Sequence, residues 1–160
     1  MFEMAGTTIA EEFHVVNILP PVSITGAVTS DVWSMKNYAH CSIIVTCGAT
    51  NADAGFVTIE ECDNFTPSND TAIDFSYYAE TTAAGDTLGA RTAAVAATGI
   101  DVSANDNITY VIEIDAAQLS DGYPCLILKW SAPGGATLVS AVAILSGARY
   151  GGDQSATAIA

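Results

Sequence analysis

Positive charge is what this 160-residue chain has least of: Lys36, Arg91, Lys129 and Arg149 stand against eighteen acidic residues, a formal net charge of −14. Holding nucleic acid through its phosphates needs clustered lysines and arginines, and these four are scattered, so no direct nucleic-acid contact is expected. An anionic lipid surface repels such a chain for the same reason, and no membrane partner is expected. Long apolar runs are missing too. A spanning helix needs about 18 uninterrupted apolar residues, and the nearest approach, ATLVSAVAILSGA at 136–148, falls short. The opening MFEMAGTTIAEEFHVV has no basic stretch and carries three glutamates before any apolar core. That is not a secretory signal, and synthesis in a cytoplasm is expected.

Histidine is limited to His14 and His40, and cysteine to Cys41, Cys47, Cys62 and Cys125, with no C-x-x-C pair among them. Without a secretory signal a disulfide framework is not expected. The spacing also fails the usual zinc patterns. Buried, reduced, structural thiols are the expectation, because free cysteine packs as a small hydrophobe.

What the chain does have is apolar content, 50% hydrophobic residues, arranged with a period of two. In NYAHCSIIVTC at 37–47, Cys41, Ile43, Val45 and Cys47 share one face, and Ser42, Ile44 and Thr46 the other. His40 points away from Cys41, so the two make a poor nucleophile pair. The same alternation marks GFVTIEEC at 55–62, AIDFSYYAE at 72–80 and NITYVIEID at 107–115, while CLILKW and ATLVSAVAILSG read as central strands. Clusters such as GATNADAG, DNFTPSND, SDGYP and SAPGG punctuate them as turns, and DAAQLSDG fits one helical turn at a corner. This pattern predicts an all-β, antiparallel β-sandwich of jelly-roll type, with extended arms at both ends. The expected division is an N-terminal arm over 1–20, a sandwich domain over 21–150 and a C-terminal tail over 151–160. Pro20 and Pro21 bar a regular central strand at the arm's exit. Phe2, Met4, Ile9, Phe13 and Val15 give the arm an apolar character suited to docking on a partner.

Catalytic and cofactor signatures are sparse. NADAG at 51–55 and DVSANDN at 101–107 offer carboxylates, but with Asn51 as the first position of a loop the twelfth is Cys62, where a calcium loop needs glutamate. Glu60 and Glu61 are neighbours on a strand and face opposite ways, so they cannot converge as a glycosidase pair. There is no G-x-S-x-G elbow, and APGGAT lacks the lysine of a phosphate loop. No enzyme, cofactor or metal is expected. Trp33, Tyr38, Tyr77, Tyr78, Tyr110, Tyr123, Trp130 and Tyr150 fit either a carbohydrate platform or a sandwich core.

The runs SDVWSMKNYAHCSIIVTCG, DGYPCLILKW and LVSAVAILSGARY resemble, in that order and across residues 14 to 150, small virion proteins of tailed bacteriophages and prophages. The shared features are a tryptophan-containing strand, a K-N-Y turn into an apolar strand, a cysteine after an acidic turn, and an SGARY-like end. The resemblance implies a non-enzymatic protein made in the host cytoplasm and located in the virion, on the capsid surface, as a decoration or cement protein. It implies the major capsid protein and further copies of this chain as partners, in a homo-oligomer such as a trimer. The alternatives are a tail-tube or neck subunit, whose acidic lumen lets DNA slide past, and a carbohydrate- or receptor-binding module.

Overall fold

A computed structural model describes residues 6–49, 53–103, 106–149 and 159. A four-residue helix, α1 (Ile9–Glu12), precedes twelve strands. These are β1 (His14–Ile24), β2 (Val28–Thr29), β3 (Trp33–Ser34), β4 (Tyr38–Cys47), β5 (Phe56–Cys62) and β6 (Asp70–Ala72). They continue with β7 (Phe75–Ala79), β8 (Thr92–Ala94), β9 (Ile100–Asp101), β10 (Thr109–Asp115), β11 (Cys125–Trp130) and β12 (Thr137–Ala148). Residues Ala116–Gln118 form a single 3-10 turn, in the stretch where the sequence predicts a corner. Among the described residues no helix is long and apolar enough to cross a membrane.

The strands make two antiparallel sheets, ordered β1-β12-β4-β10-β7-β8 and β2-β11-β5-β6. The first four strands of one order match the other position by position. Chain connections carry β1 to β2, β4 to β5 and β11 to β12, and β10 and β6 hold the same fourth place in their sheets. This is jelly-roll order, with β7 and β8 extending the first sheet past β10. The expected all-β sandwich is therefore the fold observed.

Alternation places the core. Cys41, Ile43, Val45 and Cys47 of β4 are buried, as are Tyr110, Ile112 and Ile114 of β10 and Val139, Ala141, Ala143 and Leu145 of β12. They meet Val57, Ile59, Leu126, Leu128 and Trp130 from the second sheet in one continuous cluster. Trp130 is 1% exposed and donates its indole N–H to the Ala54 carbonyl at 2.8 Å, which satisfies a polar group that burial would otherwise penalise. Gly99, with φ near 61°, closes the turn into β9; a Cβ there would lie 2.0 Å from the Val57 carbonyl oxygen, so only glycine fits.

The N-terminal boundary differs from the expectation. An arm over 1–20 would leave the sheet untouched, yet β1 pairs with β12 from His14↔Leu145 to Ile24↔Thr137 and buries Val16, Ile18 and Leu19. The prolines do not stop this strand, because β1 lies at the sheet edge, where a missing N–H costs no ladder bond. Register shifts between Asn17 and Leu19 and between Leu19 and Val22 absorb the irregularity around Pro20 and Pro21. Of the expected C-terminal tail over 151–160 only Ile159 is described, and it bridges to Trp33.

All four thiols are free and buried. Burial pushes Cys41 and Cys62 up to about 12 and Cys47 to about 11, and raises Cys125 as well. Cys62 and Cys125 face each other across β5 and β11, in a small cluster with Val32 and Ile127 on the outer side of the second sheet. Because the thiolate is the reactive form, all four are expected to resist an aqueous maleimide in the native protein and to label fully in denaturant. Fast native labelling at Cys41 or Cys47 would contradict their placement.

Candidate functional site

The outer face of the first sheet gathers the groups that carry chemistry. His40 faces outward from β4 while Cys41 is buried inward, as the alternation predicts. In the β4–β10 register His40 pairs with Asp115, and Ser42 with Glu113. The ring is therefore held at both ends: Nδ1 lies 2.7 Å from Asp115 Oδ1 and Nε2 2.7 Å from Glu113 Oε2. Ser42 Oγ donates to the same Glu113 oxygen at 2.6 Å and lies 3.5 Å from His40 Nε2.

Serine, histidine and two carboxylates thus converge, which the sequence did not reveal, but the wiring is not that of a nucleophile. A general base needs a free ring nitrogen facing the serine. Here each nitrogen is engaged by a carboxylate, and the serine proton goes to Glu113. The arrangement favours the imidazolium, which donates from both nitrogens. Burial pulls the His40 pKa down, but the hydrogen bonds and charges of Asp115 and Glu113 together outweigh it, and the net shift is upward. A folded-state value above the ordinary 6.5 means that the clamp contributes fully below about pH 6.5 and is lost as pH rises through the raised value. The melting temperature of the wild type should therefore exceed that of His40→Gln most at about pH 5.5, and the gap should close in mildly alkaline buffer. These groups are partly solvated, so the clamp is worth at most about 1 kcal/mol, or roughly 2–4 °C. A gap that widens with pH would overturn the assignment.

The other acidic candidates separate as follows. Glu60 forms an ion pair with Lys129 at 2.5 Å, and Lys129 reaches Asp70 at 2.6 Å. Glu61 turns the other way, is buried at 4% exposure, and accepts the Ser120 N–H at 2.7 Å, tying β5 to the corner before β11. They do not converge. Asp101 accepts the Ser103 N–H and so organises its own turn. Parts of both acidic loops, residues 50–52 and 104–105, lie outside the described residues, and no cluster of three metal-ligating side chains occurs among the described ones. Trp33, Trp130, Tyr110 and Tyr38 are core residues, which removes them from any exposed carbohydrate platform.

Of the expected docking residues, Phe2 and Met4 lie outside the described residues. Ile9 on α1 and Val15 on β1 are each 50% exposed, and Phe13 is half-buried. Val15 lies opposite Ile144 of β12. Beside that pair runs an apolar row, Val142–Ile44–Val111–Tyr78, in register across β12, β4, β10 and β7. Each of these residues points outward and is only half-buried. Leu138, 56% exposed, lengthens the apolar strip along β12. The signal for this row was present in the sequence as Ile44, Val111 and Val142, but only the strand register joins them.

Two cavities open at the surface of the described residues. One, about 430 Å³, is mainly apolar and lies between Val28, Phe56 and Trp130, with the already paired Lys129 at its side. The other, about 360 Å³, opens between the turn before β4, the corner before β11 and the end of β12, and includes Lys36 and Arg149. Comparison with known proteins adds no relative: no family model matches this chain, and neither does a curated protein or a solved structure.

Proposed function

We propose that this chain is a non-enzymatic structural protein of a tailed bacteriophage particle, a decoration protein that binds the outside of the capsid shell and cements it. The observation that carries this reading is the in-register apolar row Val142–Ile44–Val111–Tyr78 on the open face of the first sheet. An antiparallel sheet that faces only water alternates apolar inside with polar outside. Four neighbouring strands that break this rule at one level make an apolar band suited to burial against a partner. Three further features agree with it. The resemblance of residues 14 to 150 is to virion proteins. Jelly-roll order is common to viral capsid and lectin domains, although a fold alone assigns no function. A net charge of −14 suits an outward position better than contact with packaged DNA.

Exposed Val15, in register with Ile144, continues the band onto β1, and we include exposed Ile9 just before it in the same proposed contact with the major capsid protein. Electron cryomicroscopy of intact particles carrying this gene product tests the reading. The expected result is a two-sheet density on the shell exterior, in symmetric copies, with the first sheet turned toward the shell. Density in the tail tube would replace it with a tail-tube subunit, and binding of the isolated protein on a glycan array would favour a receptor-binding module.

A further inference from the structure

The chain holds only four basic residues, and two of them line one cavity. Lys36 and Arg149 are far apart in sequence but close around the same 360 Å³ space, with Met35, Leu119 and Tyr123 as its less polar walls. Backbone bonds fix the rim. Arg149 N–H donates to the Asn37 carbonyl at 2.8 Å, Met35 N–H to the Pro124 carbonyl at 2.8 Å, and Tyr123 N–H to the Ser120 carbonyl at 3.1 Å. The three segments that form the cavity are thus tied to one another or closed on themselves.

Among the described residues neither cation is neutralised: Lys129 and His40 take the ion pairs, and no described carboxylate comes within 4.0 Å of the Lys36 ammonium or the Arg149 guanidinium. Of the four basic residues only Lys129 is ion-paired among the described residues, and of the three others it is Lys36 and Arg149 that share a cavity. Asp121 also lines the cavity and yet pairs with neither. At physiological salt, charges more than about 8 Å away are largely screened, so the lining itself, two cations against the single carboxylate of Asp121, decides what enters rather than the net charge.

We propose that this cavity binds a small organic oxyanion: a carboxylate or phosphate group between Lys36 and Arg149, carried on a compact apolar or aromatic frame against Leu119 and Tyr123. The volume lies at the low end of small-ligand sites, which fits one ring and its charged group. Arginine supplies a planar fork for two oxygens and lysine a point charge beside it. The site is separate from the apolar row and does not depend on the virion reading.

Benzoate and phenyl phosphate, titrated into the full-length ¹⁵N-labelled protein and followed by amide chemical shifts, test it, with benzyl alcohol, benzylamine and inorganic phosphate as controls. Saturable shifts confined to Lys36, the 119–123 corner and Arg149 are expected with one or both aromatic anions, and the stronger of the two identifies the headgroup. The double variant Lys36→Gln/Arg149→Gln should weaken that binding by at least about tenfold, the loss expected for one charge-assisted hydrogen bond or more. Its spectrum elsewhere should match the wild type, since both side chains are at the surface. Absence of saturable binding, equal binding of benzyl alcohol or benzylamine, or unchanged affinity in the double variant would overturn the site. Inorganic phosphate binding as tightly as phenyl phosphate would overturn the apolar half of the ligand.

Discussion

Removing residues 1–18 is expected to abolish or severely weaken folding, whereas removing residues 1–12 is expected to leave the fold intact. The difference lies in β1. Residues 6–12 contribute no buried side chain, but Val16 is 4% exposed and Ile18 0%. Burying a side chain of that size is worth about 1.5–3 kcal/mol, so losing both removes roughly 3–6 kcal/mol. The same cut strips β12 of its partner from His14↔Leu145 to Asn17↔Val142 and leaves its backbone groups to water. Domains are typically stable by only about 5–15 kcal/mol, so the longer truncation consumes much of the margin. By circular dichroism the shorter truncation should melt within a few degrees of the full chain. The longer one should melt at least about 10 °C lower or show no cooperative transition. A protein of residues 19–160 that melts like the full chain would make 14–18 a dispensable arm after all.

That contrast shows where sequence reasoning reached and where it stopped. The two-residue period of Cys41–Cys47 and Thr109–Asp115 reports directly on which side chains face the core, because each strand carries its own alternation. Cys41, Ile43 and Val45 were legible for that reason. Pro20 and Pro21 argue correctly against a central strand, but proline says nothing about an edge, and the edge position of β1 depends on β12, more than a hundred residues away. The His40 clamp was hidden in the same way. His40 and Asp115 become neighbours only through the register His40↔Asp115 of β4 and β10. Glu61 shares a strand face with the core residues Val57 and Ile59, and it tolerates burial there because the Ser120 N–H at a distant corner satisfies it, a partner no local pattern shows. The cavity between Lys36 and Arg149 belongs to no single segment, and no local pattern marks it.

The second large effect concerns the apolar row. Replacing Ile44, Val111 and Val142 together by threonine keeps β-branched side chains of strand-compatible shape while placing hydroxyls on the outer face. These side chains are half-buried, so the folded state should lose little, and the melting temperature should fall by only a few degrees. Docking should suffer far more. Apolar contact contributes about 25 cal/mol per Å² removed from water, and three substitutions that cost about 1 kcal/mol each amount to roughly a hundredfold in affinity. Symmetric attachment repeats each contact, so occupancy of a shell should drop steeply rather than in proportion. Unchanged attachment of the triple variant would show that the row is not the contact surface.

The most direct test of the cementing account is sedimentation of the purified protein with capsid shells that lack it, at low and at high salt. Burial of an apolar face predicts that the wild type pellets with the shells in both conditions, that the triple threonine variant stays in the supernatant, and that decorated shells withstand higher temperature than bare ones. With only four basic residues the chain has few ion pairs of its own to offer, and exposed pairs formed by a partner's cations are worth about 0–1 kcal/mol each and fade with salt. Release of the wild type by moderate salt, or equal heat stability of shells with and without it, would contradict the account.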